Sequence, residues 1–318
     1  MTICKICGNE RFNREYKIKE MMFGLGDEFS YILCANCGCL QIKEMPTDMS
    51  KYYPENYYSF RNFPNQESRI KRMAKKLRDR YAVFDSGVVG RLIYRHFPNE
   101  PLRSLSVLPL KKDWTILDVG CGAGILLYSL KELGFKNLLG IDPYIESDIF
   151  YTNGLSILKR TIKDLEGQFD LIMFHHSFEH MEEPLGIFRE VARLLAPDGF
   201  CIIRTPLADS WAWENYGVNW VQIDAPRHFF IHTRKTMEIL ASYADLKIEK
   251  VIYDSTDFQF WGSEQYKKDI PLYAHHSFSI NSQESMFSRE QIKSFKRRAK
   301  ELNFEGKGDQ AQFYLNKK

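Results

Sequence analysis

From residue 113 onward the apolar positions fall into two alternating patterns. Short apolar runs at 115–119, 138–142, 156–158, 169–174, 200–204 and 247–253 have the length of buried strands. Stretches with helical spacing lie between them, at about 124–133, 184–195 and 233–244. Gly134 stops the first of these helices, Pro184 opens the second and Thr233 caps the third. Pro197, Asp198 and Gly199 form a turn into the fifth strand. Such alternation predicts an α/β fold with a doubly wound, Rossmann-like parallel sheet.

The first 112 residues read differently. Segments 12–18 and 29–33 suit a small sheet. Tyr52, Tyr53, Tyr57, Tyr58 and Phe60 mark an irregular aromatic link, either a lid over a ligand or a strap on the core. Ile70, Met73, Leu77, Tyr81 and Phe84 share one face of a predicted helix over 69–84, and a shorter helix follows over 88–96. The resulting division is 1–60, a metal-binding module; 61–112, a helical linker; and 113–318, the main domain.

Composition narrows the class. The chain has 318 residues, 44% hydrophobic and 27% charged, as expected of a soluble globular protein with one sizeable core and a smaller module. There is neither an apolar run long enough to span a membrane nor an apolar leader after Met1, so a cytoplasmic location is expected. A net charge of +3 argues against nucleic acid as the partner. Arg69, Lys71, Arg72, Lys75, Lys76, Arg78 and Arg80 give the first helix a basic face. That face suits solvent, a polyanion or peripheral contact with a membrane surface.

Of seven cysteines, five lie in the first forty residues. Cys4 and Cys7, then Cys34 and Cys37, form two C-x-x-C-G knuckles with Gly8 and Gly38 following. Four thiolates at this spacing suit a structural, tetrahedral Zn2+ in a zinc-ribbon-like module. Cys39 is the spare thiol and reads as packing.

The main domain carries its chemistry at strand ends, where open parallel sheets bind ligands. Gly120, Gly122 and Gly124 follow the first strand, and Asp142 ends the second. Glycines let a ligand approach the backbone at a helix N-terminus, and an acid at Asp142 can accept both hydroxyls of a ribose. A dinucleotide fingerprint needs a glycine where Ile125 stands. Asp118 would repel a pyrophosphate but not a cationic sulfonium. The pattern resembles that of class I S-adenosylmethionine-dependent methyltransferases, whose first motif is D-x-G-x-G-x-G.

The resemblance implies a seven-stranded methyltransferase sheet, with 311–315 as its antiparallel last strand and 254–308 as a helical insertion suited to substrate selectivity. It assigns Asp118, Gly120, Cys121 and Gly122 to the cofactor loop and Asp142 to the ribose. Thr161 and Ile162 fall at the adenine edge, and Phe174 and His175 at the methionine part. Glu179, His180 and Pro184 match the E-H-x-x-x-P signature of methyltransferases of the ubiquinone-biosynthesis and sugar-modifying types. Asp224, Pro226, Arg227 and His228 resemble a substrate-side motif of sugar C-methyltransferases.

Together with the cysteine module, these motifs resemble bacterial methyltransferases acting on nucleotide-linked sugars or surface polysaccharides. Trp213, Tyr216 and Trp220 would then stack on a sugar ring. Arg227 stands where the C-methyltransferases have a glutamate, which favours O- over C-methylation. A hydroxyl needs its proton removed, and His180, His228 and Glu179 are the catalytic candidates. Two alternatives stay open: an RNA methyltransferase gripping its substrate with the zinc module, and a non-catalytic S-adenosylmethionine-binding module. The acceptor and the oligomeric state are not legible.

Overall fold

The computed structural model describes residues 3–54 and 68–318. The aromatic link beyond residue 54 and the start of the helical linker lie outside the described residues. Near the N-terminus, β1 (Arg14–Lys19), β2 (Glu28–Leu33) and β3 (Leu40–Ile42) form an antiparallel sheet. Helices α1 (Arg69–Phe84), α2 (Val88–His96) and α3 (Glu100–Ser104) follow. The main domain then runs β4 (Thr115–Val119), α4 (Ile125–Glu132), β5 (Asn137–Ile141), β6 (Ile149–Phe150), β7 (Ser156–Leu158) and β8 (Phe169–His175). It continues with α5 (Pro184–Leu194), β9 (Leu195–Pro206), α6 (Trp211–Tyr216), β10 (Phe230–Ile231), α7 (Arg234–Tyr243) and β11 (Leu246–Tyr253). The last elements are α8 (Phe258–Tyr266), α9 (Arg289–Phe304) and β12 (Gln310–Lys317).

The main domain is a Rossmann-like α/β fold with a mixed central sheet. Its order is β11-β12-β9-β8-β4-β5-β7-β6. The strands from β9 to β7 are parallel, while β12 lies antiparallel between β9 and β11. The described sheet therefore has eight strands, not the expected seven. The addition is β6, two residues paired antiparallel with β7 at the sheet edge. A strand that short, with Phe150 exposed, leaves no alternation to read. The turn expected at 197–199 is instead an irregularity within β9, where its pairing with β8 skips from Leu195 to Phe200.

The small sheet is larger than the sequence suggested. β3 pairs with β10, so residues 230–231 of the main domain supply its fourth strand. One apolar cluster runs from Cys4, Ile18 and Tyr31 through Phe174 and Phe230 to Leu315. The Thr233 hydroxyl, which caps α7, donates to the Cys37 carbonyl at 2.7 Å. The cysteine module is thus joined to the main domain by a sheet, a core and a helix cap.

The insertion is less polar in effect than its composition. α8 buries Phe260, Gly262 and Tyr266. A Cβ on Gly262 would come within 2.7 Å of Val221. Trp220 is fully buried, its indole N–H donating to Asp309 at 3.0 Å, and Trp213 packs edge-on against Tyr16. These aromatics build the core rather than a sugar platform.

Candidate active site

At the C-terminal ends of β4, β5, β7 and β8 lies a cavity of about 710 Å³. The turn after β4 depends on missing side chains. Gly120 has φ +70°, and a Cβ there would sit 2.5 Å from the Ser177 Cβ; Gly124 has φ +76°, and its Cβ would meet Ile157 at 2.3 Å. The Gly122 N–H donates to Asp142 Oδ2 at 2.8 Å, and the Tyr144 N–H donates to Asp142 Oδ1 at 2.9 Å. These bonds fix the carboxylate while leaving each oxygen a further lone pair. Asp118 Oδ1 is buried with no hydrogen-bond partner among the described residues. Burial, and next the Asp142 charge, push its carboxyl up to about 8.

Of the expected cofactor residues, Asp118, Gly120, Cys121, Asp142, Thr161, Ile162 and His175 line this cavity. Gly122 sits one step behind, holding Asp142. Phe174 does not line it: the ring is fully buried against Phe178. Successive strand residues face opposite sides of a sheet, so β8 can offer the cavity His175 or Phe174 but not both. Both His175 ring nitrogens are buried without partners among the described residues, and burial lowers that imidazole to about 3. The cavity thus presents a fixed carboxylate, an acid with an unpartnered oxygen and a neutral imidazole, with Thr161 and Ile162 on its wall, a set that fits S-adenosylmethionine.

The three catalytic candidates form one group beside the cavity. His180 is on the wall. Its ring lies edge-on to that of His228, with centroids 4.7 Å apart. Glu179 is fully buried, with Oε1 3.2 Å from His176 Nδ1 and 3.9 Å from His228 Nε2. Burial works to raise its carboxyl, but the histidines, His176 foremost, more than offset this and leave it at about 2. Burial, then neighbouring His228, lowers His180, so that imidazole is neutral near pH 7. Glu179 and His228 do not line the cavity; they stand behind His180. Arg227 is fully buried, donating to Asp224 and Glu20, and burial does not prevent these two carboxylates from raising it.

Several neighbours take part that the sequence reading did not assign as site residues. Tyr53 lies on the cavity wall, stacked on Tyr144 and 3.2 Å from His180 Nδ1. His176 holds Glu179 from a left-handed conformation, φ 52°, that a non-glycine residue rarely adopts. Ser177 donates to the Val119 carbonyl at 2.6 Å, tying β8 to the glycine turn. Asp224 lies 3.9 Å from His228 Nε2. The H-H-S-F-E-H run contains His176 and Ser177, the D-A-P-R-H run contains Asp224, and Tyr53 belongs to the aromatic link read as a lid or a strap. Among the described residues, none from the 254–308 insertion lines the cavity, contrary to its expected role in selectivity.

In the N-terminal module, Cys4 Sγ lies 3.6 Å from Cys37 Sγ, and Cys7 Sγ lies 3.5 Å from Cys34 Sγ. All four sulfurs are within 4.8 Å of one another. Gly8 and Gly38 each donate an N–H back to the first cysteine carbonyl of their knuckle, at 2.9 Å. The Cys37 thiol, hydrogen-bonded to Cys4, pulls the Cys4 thiol down to about 5 against the opposing effect of burial. Cys39 is fully buried and outside the group.

A family described as a methyltransferase domain matches residues 88–251, just over half of the 318. The chain belongs to that family. It is a class I S-adenosylmethionine-dependent methyltransferase, and the matched segment contains every cavity-lining loop named above except that of Tyr53. The methyltransferase is 28% identical over 182 residues to a ubiquinone biosynthesis O-methyltransferase of Xanthomonas oryzae pv. oryzae (strain PXO99A), covering 48% of this chain and 74% of the relative. It is 30% identical over 118 residues to the mitochondrial ubiquinone biosynthesis O-methyltransferase of Saccharomyces cerevisiae, covering 33% and 38%. Among solved structures, the methyltransferase is similar to the cyclopropane synthase MmaA2 from Mycobacterium tuberculosis, at 18% identity and a TM-score of 0.43 over 76% of this chain and 98% of that one. It is also similar to the mycolic acid cyclopropane synthase CmaA1 complexed with SAH and CTAB, at 19% identity and a TM-score of 0.43 over 70% and 88%.

Proposed function

We propose that this methyltransferase methylates a hydroxyl oxygen of a sugar, either nucleotide-linked or part of a surface polysaccharide. One observation carries the choice of oxygen: His180 faces the cavity that holds Asp142 and Asp118, with His228 and Glu179 packed behind it. S-adenosylmethionine bound there supplies an electrophilic methyl group. Asp142 takes the ribose hydroxyls, Thr161 and Ile162 the adenine edge, and Asp118 and His175 the amino-acid end. Gly120 and Cys121 let that end approach the backbone. His180 is where the acceptor hydroxyl gives up its proton, and Glu179 and His228 position His180. The same walls keep water from competing for the methyl group.

The sugar assignment is supported by the cysteine module and the motifs around Glu179, His180 and His228. Arg227 replaces the glutamate of C-methylating relatives and is locked between Asp224 and Glu20, which favours oxygen as the acceptor. A second reading, a phenolic hydroxyl, is favoured by the names of the curated relatives and by the Tyr53–Tyr144 pair on the cavity wall. Transfer of labelled methyl to a panel of nucleotide sugars, polysaccharide fragments, dihydroxybenzoates and RNA separates these readings. Label confined to the sugar fraction is expected; label confined to phenols or RNA overturns the sugar assignment.

The four cysteines fit a structural Zn2+. Tetrahedral zinc with thiolates at about 2.3 Å needs sulfurs about 3.8 Å apart. The observed 3.5 and 3.6 Å need only a slight expansion. Such an ion would pin β3, and through it β10, just after His228.

A further inference from the structure

We propose that α1 and α2 dock this methyltransferase on an anionic lipid bilayer, with α2 as the helix that enters the surface. α2 packs chiefly on α1. The close contact is at Gly90, where a Cβ would come within 2.2 Å of the Leu77 carbonyl oxygen. Each residue turns a helix by about 100°, so positions two before and two after a contact face away from it. Val88 and Leu92 therefore point outward, and they are 77% and 54% exposed, with exposed Val89 beside them. Phe97, which caps the C-terminus of α2, is 67% exposed. An apolar ridge of this kind marks a surface that something covers.

The charge around the ridge decides what covers it. Arg91 and Arg95 are exposed on α2. On α1, Arg69, Met73, Lys76 and Arg80 recur at helical spacing as one exposed stripe, while Asp79, Ala82 and Val83 are buried on another face. Residues 69–97 hold nine Lys and Arg against two Asp, whereas the whole chain nets only +3, so the rest of the chain is net negative. A bilayer with acidic headgroups satisfies both features: the aliphatic side chains enter the acyl boundary and the arginines meet phosphates. A nucleic acid would answer the charge alone and leave Val88, Val89 and Leu92 in water. A second copy packed on this face would bring two strongly basic surfaces together.

The same surface leads to the cavity. Asn99 and Pro101, just beyond Phe97, line the cavity wall. The Asn99 side-chain amide donates to Asp79 Oδ1 of α1 at 3.3 Å, which ties that wall to the helix pair. Exposed Ile125 lies on the same wall. Docking through α2 therefore suits an acceptor sugar carried on a lipid. That consequence rests on the sugar reading of the acceptor; the docking itself does not.

The test is co-flotation of the full-length chain with vesicles of phosphatidylcholine alone, or of phosphatidylcholine mixed with phosphatidylglycerol, without acceptor or cofactor. Binding to the phosphatidylglycerol vesicles is expected, and added salt should weaken it. Leu92→Asp, and separately Arg91→Glu combined with Arg95→Glu, should each weaken it by about tenfold or more. Arg297→Glu, an exposed arginine of α9 outside this surface, should leave it unchanged. S-adenosylhomocysteine affinity confirms that the variants fold. No binding to either vesicle, or equal binding to both, overturns the proposal. So does equal binding by folded Leu92→Asp and wild type, or a loss with Arg297→Glu as large as that with the α2 variants. RNA binding that the α2 variants abolish, with no vesicle binding, would assign the surface to nucleic acid instead. Vesicle binding by a protein that methylates only phenols would sink the sugar reading and leave the docking standing.

Discussion

Asp118 and His228 show how single residues in and behind the cavity divide their tasks. Asp118 carries a carboxyl pushed up to about 8 by burial, so the free protein holds it protonated at neutral pH. A cationic cofactor needs the ionised form, so binding must expel a proton. Affinity for S-adenosylmethionine should therefore rise with pH until about 8 and then level off, and Asp118→Asn should flatten the curve; calorimetry in two buffers of different ionisation enthalpy checks both. The sign for stability is opposite. The folded state keeps a proton that an unfolded Asp releases near pH ~4, so this contribution is complete below that value and is lost as pH rises through about 8. His228 stands behind His180 and does not line the cavity. His228→Ala should lower kcat by about a hundredfold and leave the KM for S-adenosylmethionine unchanged. A matching rise in that KM would assign His228 to cofactor binding instead.

At the level of elements, the parts legible in the sequence are those set by local rules. The glycine spacing after Asp118 could be read because the turn itself needs positive φ at Gly120, Gly122 and Gly124. The Thr233 cap and the acid that follows β5, Asp142, were legible from equally local rules. What long-range packing decides was hidden. Phe174 was misplaced because the face it presents depends on the sheet's layering, not on its neighbours in sequence. β6 and β10 have two residues each and exist only through their partners. Glu179 reads as a catalytic candidate beside His180, yet tertiary packing buries it completely and keeps it off the cavity wall.

β10 also couples the cysteine module to the residues behind the cavity wall. Tyr31 of β2 donates its hydroxyl to the His228 carbonyl at 2.9 Å, and Glu20 beside the small sheet holds Arg227. Cys34→Ser should therefore do more than remove zinc. Metal analysis should show the loss of one ion, thermal unfolding should shift down by several degrees, and turnover should fall although no cysteine of the module lines the cavity. Zinc loss with normal turnover would show that the module and the active site are independent.

Across the whole molecule, the two sheets share one core, and the cavity opens where the parallel strands end. α1 keeps a basic face: Arg72 pairs with Glu132 and Arg78 with Asp79, while Arg69, Lys71, Lys76 and Arg80 face solvent. No described helix is long and apolar enough to cross a membrane. The C-terminal insertion serves the architecture, since α8 closes over the turn at 221–223 and its neighbours hold Asp309 and Gln310 in a buried polar network. Every functional assignment made above turns on the donor occupying the crevice between β4 and β5.

The most direct test is a calorimetric titration of S-adenosylhomocysteine into the wild type and Asp142→Asn. One site per chain is predicted, with affinity about ten- to a hundredfold weaker in the variant, the value of charge-assisted hydrogen bonds to two ribose hydroxyls. Equal affinity in the two proteins, or no binding to the wild type, would contradict the placement of the donor in that crevice.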